Sequence, residues 1–305
     1  MSPIRGILLK IASVAVFMAM ATIIKATSGD VPPGQAVFFR SAFAVPVIVL
    51  WLLWSGGLAE GLRTRNPAGH FWRALVGVTA MGFGFAGLGL LPLPEVTAIG
   101  YAAPILTVIF AAMFLGEEVR VFRIATVTLG MVGVLIILSP RLTTPSQEGL
   151  GAAEALGAMV VLMGAIFAAL AQVFVRKLVT TETTTAIVFW FSVNSALLSL
   201  LTIPFGWRMP ETGPFLWLVV AGLLGGIGQV LLTSSYRYAD TSVIAPFEYA
   251  SMLLALAVGY FGFGEVPSWT VIGGASLVVG AGILIIWRER RLGLERARQR
   301  QSMTP

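Results

Sequence analysis

Residues 248–265 read EYASMLLALAVGYFGFGE. From Leu253 to Phe263 the run is apolar and does not alternate. It is therefore read as membrane helix rather than as a strand of a membrane barrel, where about ten residues alternate between lipid and lumen. The stretch carries a carboxylate, Glu248, at one end and Gly264-Glu265 at the other. The same ending appears earlier as Gly116-Glu117, and Tyr101-Ala102 precedes it by the same distance that Tyr249-Ala250 precedes Gly264.

Working outward, the echo continues. With a one-residue slip, Gly133-Val134-Leu135-Ile136-Ile137 matches Gly282-Ile283-Leu284-Ile285-Ile286, and Ala15-Val16-Phe17 resembles Ala165-Ile166-Phe167. The chain has 305 residues, 57% hydrophobic and 11% charged. Soluble domains carry about a quarter charged residues, and no soluble core of this size hides so much apolar surface. The apolar residues fall into blocks of about twenty, enough to cross roughly 30 Å of hydrocarbon as helix. Ten spans are expected, at 7–27, 34–54, 71–90, 95–115, 121–139, 153–175, 185–204, 214–236, 242–262 and 268–287. Turn chemistry separates them, as at Pro32-Pro33-Gly34, Asn66-Pro67 and Leu91-Pro92-Leu93-Pro94, because proline removes a donor and restricts the residue before it.

The expected fold is an all-α membrane protein of ten transmembrane helices, arranged as two inverted five-helix repeats. Residues 1–140 form the first repeat, 141–152 a central loop, 153–287 the second repeat and 288–305 a basic tail. An odd number of spans per repeat turns the second upside down, a pattern of secondary transporters. With the N-terminus inside, cytoplasmic segments hold Arg5, Lys10, Arg63, Arg65, Arg73, Arg120, Arg123, Arg176, Lys177, Arg237 and the six arginines of 288–300, while outer loops hold only Arg141 and Arg208. That bias predicts both termini in the cytoplasm. The same rule accounts for the net charge of +6 and for the basic tail without nucleic acid, although such a tail also suits anionic lipid headgroups.

No cysteine is present, which excludes disulfides and thiolate metal sites. The lone histidine, His70, is a poor metal ligand by itself, so no metal and no cofactor is expected. Gly82-Phe83-Gly84-Phe85-Ala86-Gly87 spells GxGxxG, but a dinucleotide site needs a strand before it. Inside an apolar span, Gly77, Gly84 and Gly87 are read as helix-packing positions, as are Gly222 and Gly226. A lining of glycines around a ligand cavity is the alternative.

These residues resemble the drug/metabolite transporter superfamily, in its ten-helix branch with two EamA domains. The resemblance runs over 7–287 and is most specific from Leu91-Pro92-Leu93-Pro94-Glu95-Val96-Thr97-Ala98 to Gly116-Glu117, and from Tyr236-Arg237-Tyr238-Ala239-Asp240-Thr241-Ser242 to Gly264-Glu265. It implies a bundle around a central cavity that opens alternately to each side. Phe38-Phe39-Arg40-Ser41 looks most like the subgroup of riboflavin and S-adenosylmethionine transporters. The amino-acid exporters are a more distant match, because their tryptophan-rich first helix is absent here.

Charges inside spans mark function or pairing. Glu248 is read as a substrate or proton-coupling group, with a structural pair to a basic residue as the plainer reading. Arg40 either binds an anionic or carbonyl-rich substrate through its planar fork or pairs with Glu248 or Asp30. Lys25, nearer the outer water, is expected to snorkel. Tyr101, Tyr249, Trp190, Gln172, Asn194 and Gln229 are the remaining cavity candidates, with rings for stacking and amides for orientation. Each alone also suits simple packing. Trp51, Trp54, Trp72 and Trp287 lie near span ends as an interfacial belt. Glu117 and Glu265, at helix ends on opposite faces, are read as structural or gating groups.

The expected function is a secondary transporter of a small polar organic metabolite in the inner membrane of a bacterium. The resemblance favours riboflavin import, with amino acids, S-adenosylmethionine or drug-like amines as alternative cargo. Its partners are the substrate and the lipid bilayer, with a homodimer left open. An intramembrane enzyme would need a reactive constellation, and Glu248 alone does not supply one. A structural membrane protein would not need an inverted duplication with unequal polar residues inside.

Overall fold

The structure is a computed structural model and describes residues 3–115, 121–143, 150–238 and 244–302. Gly116-Glu117, the 239–243 segment and the loop around Ser146 lie outside the described residues. Every regular element among the described residues is helical. In chain order these are α1 (Pro3–Thr27), α2 (Pro33–Ala42), α3 (Ala44–Trp54), α4 (Leu58–Leu62), α5 (Pro67–Leu90), α6 (Leu93–Gly100), α7 (Ala102–Leu115), α8 (Val121–Thr143), α9 (Leu150–Leu178), α10 (Thr184–Ser199), α11 (Thr212–Tyr238), α12 (Ala250–Phe263) and α13 (Trp269–Ser302). A 3₁₀ turn, Ala245–Tyr249, leads into α12.

Among the described residues, eight stretches are long and apolar enough to cross a membrane, and two shorter apolar helices, Ile124–Pro140 and Phe247–Phe263, occupy the other two expected positions. Two of the eight are broken helices. The second span breaks at Phe43 between α2 and α3, and the fourth at Tyr101 between α6 and α7. Proline explains both. Pro46 and Pro104 lack a backbone N–H, and their rings crowd the carbonyls of Ala42 and Gly100, four residues back. The sequence reading took each as one continuous helix.

Helix ends are secured in chemically specific ways. Asn66 caps α5 by accepting from the Gly69 N–H at 2.9 Å, with Pro67 in the first turn. Gly264 takes a left-handed conformation (φ 67°) that ends α12 and turns Glu265 back toward the bundle.

The most extensive helix pairs are α1 with α11, α5 with α9, and α8 with α13, while α2 packs on α10 and α6 on α12. Small residues permit the close approaches. A Cβ on Gly133 of α8 would lie 2.7 Å from the Gly274 carbonyl, and one on Gly274 of α13 would lie 2.6 Å from the Gly133 carbonyl. These two backbones touch directly, as membrane helices with small residues do. A Cβ at Gly87 would overlap Val161 of α9, and one at Gly226 would meet Val47 at 2.8 Å. A Cβ on Gly222 would lie 2.5 Å from the Phe39 carbonyl. Gly84 differs from the packing expectation: its Cβ direction meets open space. The close approach there belongs to Gly164, whose Cβ would lie 3.2 Å from the Gly84 nitrogen. Trp54, Trp72 and Trp287 are exposed, with Trp51 half-buried.

Candidate functional site

Two polar clusters lie inside the bundle. The first is built on α2, α5 and α10. Arg40 of α2 is 94% buried by its 6% exposure, and its guanidinium carbon lies 5.7 Å from the centre of the Phe191 ring on α10. Arg73 of α5 stands over the same ring at 3.3 Å. Two glycines make room for these side chains. A Cβ on Gly77, one turn after Arg73, would lie 2.7 Å from the Phe191 ring and 3.2 Å from the Arg73 guanidinium. A Cβ on Gly225 of α11 would lie 3.3 Å from the Arg40 side chain and 3.2 Å from the Met20 sulfur of α1. Neither arginine has a carboxylate partner among the described residues. Arg40 Nε, Arg73 Nε and one Arg73 terminal nitrogen are buried without an acceptor, as are Trp190 Nε1 and the hydroxyls of Ser41 and Ser195.

His70, one turn before Arg73, is 1% exposed. Its Nε2 lies 3.7 Å from Glu182, beyond hydrogen-bond reach, and its ring lies 6.5 Å from that of Trp190. Glu182, in the loop before α10, accepts from the backbone N–H groups of Arg65 and Asn66, each at 2.7 Å, and from the Thr64 hydroxyl at 3.2 Å. Burial acts to raise its pKa, but these hydrogen bonds and His70 together outweigh that and hold it below the usual carboxylate value.

The second cluster sits where α6, α7 and α12 are interrupted. Tyr101 and Tyr249 meet edge to face at 5.1 Å. The Tyr101 hydroxyl pairs with the Ser251 hydroxyl at 2.6 Å, and Ser251 donates to the Glu248 carbonyl at 2.6 Å. The Glu248 carboxylate is ion-paired with Lys10 of α1. The pairing of Arg40 with Glu248 or Asp30 is therefore absent, and Lys10 takes that place. Lys10 lies close to the start of α1 in the sequence, where it reads as an ordinary cytoplasmic charge. Its 4% exposure became visible only when α1 packed beside α12.

A second ion pair closes the opposite ends of the same helices. Lys25 bonds Glu265 at 2.9 Å and also donates to the carbonyls of Leu88 (3.1 Å) and Leu91 (2.7 Å), at the C-terminus of α5. Glu265 in turn accepts from the Leu93 N–H at 2.8 Å, at the N-terminus of α6. The cation thus meets orphan carbonyls and the anion an orphan N–H, each matching the sign of its helix end. Lys25 is consequently a buried clasp residue, 12% exposed in its side chain, and does not snorkel. Beside it a cavity of ≈280 Å³ is lined by Ile24, Ser28, Val31, Pro33, Phe85 and Gly89, among others.

The other expected residues join neither cluster through a hydrogen bond among the described residues. Gln172 is exposed on α9, and Asn194 and Gln229 are half-buried. The sequence reading counted Arg73 among the charges of the cytoplasmic segments, and the structure adds that its guanidinium is buried over Phe191. Its position two turns after Asn66-Pro67 was the available signal, since a helix starting there carries residue 73 about 9 Å inward. No group of three or more potential metal ligands occurs among the described residues.

Known proteins give this geometry a context. An S-adenosylmethionine uptake transporter of Rickettsia bellii is 25% identical over 257 residues, covering 84% of each chain. A pseudopaline exporter, CntI, of Pseudomonas aeruginosa is 28% identical over 92% of this chain and 95% of its own. A riboflavin transporter of Rhizobium johnstonii is 28% identical over 85% of this chain and 83% of its own. Residues 4–139 and 155–287 each match the EamA-like transporter family, so the chain carries two EamA segments and belongs to that family of membrane transporters.

Proposed function

We propose that this protein is a secondary transporter that moves a small polar organic metabolite by alternating access. Its ten spans form two inverted repeats, with residues 1–140 and 153–287 as the halves, 141–152 between them and a basic cytoplasmic tail from 288. The helix pairing supports this arrangement. Exchanging the halves turns the α1–α11 pair into the α9–α5 pair, and returns α2–α10, α6–α12 and α8–α13 to themselves. Both fourth spans are also interrupted at the matching tyrosine, Tyr101 or Tyr249, and interrupted helices at corresponding positions point to a transport site.

One observation carries the mechanism. The first span is tied to the ninth at both ends, by Lys10–Glu248 toward the N-terminal side and Lys25–Glu265 toward the other. Each pair joins helices from different halves, so releasing one while the other holds opens one side only. The basic-residue bias places the Lys10 pair at the cytoplasmic side of a bacterial inner membrane. Import of riboflavin, the cargo favoured by sequence, stands beside S-adenosylmethionine, amino acids and export in either case.

Purified protein in liposomes tests the reading. Saturable movement of at least one of riboflavin, S-adenosylmethionine and an amino-acid panel is expected, assayed in both directions with and without a proton gradient. Absence of saturable flux for every compound, with folded and inserted protein, rejects it.

A further inference from the structure

The first cluster has a chemical bias that the family assignment does not provide. Of its eight unpartnered buried side-chain atoms, four are donor-only, the others being the hydroxyls of Ser41 and Ser195 and the two ring nitrogens of His70. Arg40 Nε, the two Arg73 nitrogens and Trp190 Nε1 can only donate. Two guanidinium groups lie against one aromatic ring, and their like charges repel. Cation–π contact with Phe191 offsets part of the desolvation, but a ring face carries no net charge to neutralise two cations. Unpaired buried cations are among the most costly groups in a fold. A stability role alone gives no reason to place two of them side by side, each against a glycine that keeps its side chain clear. A bound anion supplies the missing acceptors and the missing charge together.

We propose that Arg40 and Arg73 form a carboxylate-binding clamp across Phe191, and that the cargo is a small organic acid or amino-acid-like zwitterion held by its carboxylate. The proposal rests on the transporter reading above and narrows it. The planar fork of arginine matches a carboxylate in bidentate fashion. The clamp lies between the halves, with Arg40 and Arg73 on α2 and α5 and Phe191 and Gly225 on α10 and α11. Riboflavin, which is uncharged, offers nothing to neutralise it. S-Adenosylmethionine presents a carboxylate to the clamp and a flat purine to the rings beside it, with its ammonium and sulfonium required to lie away from the two guanidiniums.

The test uses the full chain in detergent and in liposomes, with matched probes. S-Adenosylmethionine, L-tryptophan and citrate are the carboxylates. 5′-Methylthioadenosine, tryptophan amide and riboflavin lack a carboxylate, and riboflavin 5′-phosphate is the phosphate arm. At least one carboxylate is expected to raise the melting temperature while its carboxylate-free counterpart does not. Arg40→Gln and Arg73→Gln should each weaken that binding about tenfold or more, and Arg73→Lys should fail to restore it fully because the fork is lost. Without ligand, Arg40→Met and Arg73→Met should leave the melting temperature unchanged or raised, since each removes an unpaired buried charge. A lowered melting temperature in both Met variants would mean that the arginines are structural, and the clamp is then wrong. It is also wrong if no carboxylate binds, if binding survives both Gln substitutions, or if only riboflavin 5′-phosphate binds. Arginine-dependent carboxylate binding without flux in liposomes would retain the clamp and remove the transporter reading. Flux of an uncharged probe, unaffected by either Gln substitution, would do the reverse.

Discussion

Tyr101 and Tyr249 stand 148 residues apart, at matching positions of the two EamA segments, and their rings meet edge to face. They are not equivalent in their polar contacts. Tyr101 bonds Ser251, whereas the hydroxyl of Tyr249 occupies the space that a side chain at Gly282 would need. A contact that looks symmetric in sequence is thus asymmetric in chemistry, which yields the first prediction. Tyr101→Phe keeps the ring and loses the Ser251 hydrogen bond and the long 3.5 Å contact to the Tyr249 carbonyl, at a cost of about 1 kcal/mol. Gly282→Ala forces Tyr249 to move and should cost more, about 1–3 kcal/mol for overpacking. Thermal unfolding in detergent measures both, and the reverse order would contradict the geometry.

The Lys10–Glu248 pair predicts a second asymmetry. The Lys10 side chain is 5% exposed and that of Glu248 is 49% exposed. Glu248→Gln leaves a buried ammonium without its counter-charge, whereas Lys10→Met leaves a carboxylate that water already reaches. The first should cost about 1–3 kcal/mol, and the second less than about 1 kcal/mol. Denaturation of the two single variants and the double variant gives the coupling. Equal costs would show that burial of the lysine does not govern the pair.

At the other end of α1, Lys25 makes three contacts and Glu265 bridges it to α6. Lys25→Met should therefore loosen that end of the bundle more than Glu265→Gln does. The chain lacks cysteine, so a single Ser28→Cys in the cavity beside Lys25 reports on opening. Its labelling by a membrane-impermeant maleimide should rise several-fold in the Lys25→Met background. No change in labelling would remove this pair from the gate.

The Gly84 and Gly87 positions separate open space from contact. Gly84→Ala should be tolerated within about 0.5 kcal/mol, because its Cβ meets nothing within 4 Å. Gly87→Ala overlaps Val161 and should lower stability by about 1–3 kcal/mol. Melting temperatures of the two variants decide the matter, and a stable Gly87→Ala protein would refute the α5–α9 approach.

Glu182 predicts a pH dependence with a definite sign. Its carboxyl is held below the ordinary value, after burial is outweighed by the hydrogen bonds around it. A depressed carboxylate pKa stabilises the fold above the unfolded value, about 4.3, and that contribution disappears as pH falls through the folded value. The stability difference between the native chain and Glu182→Gln should be constant from about pH 6 to 8 and shrink only in acid. A difference that changes around neutrality would point to His70, 3.7 Å away, as the titrating group.

Composition and the twenty-residue blocks were enough to read a multi-span helical protein, because lipid forces each backbone polar group to be satisfied inside its own helix. Spacing alone linked Tyr101 to Tyr249, and the cost of charge in hydrocarbon singled out Arg40 and Glu248. Partnership was another matter. An ion pair depends on which helices lie side by side, and no local pattern records that α1 runs along α12. Hence Glu248 was matched in sequence with Arg40 but meets Lys10, and Lys25 leaves the water to hold Glu265. Arg73 shows the same division. As a letter near the start of a span it was one more cytoplasmic charge. Packing of α5 against α10 turned it over Phe191 and set it beside Arg40. The chain chemistry determined which residues were expensive to bury, and only the tertiary arrangement decided which of them found a counter-charge.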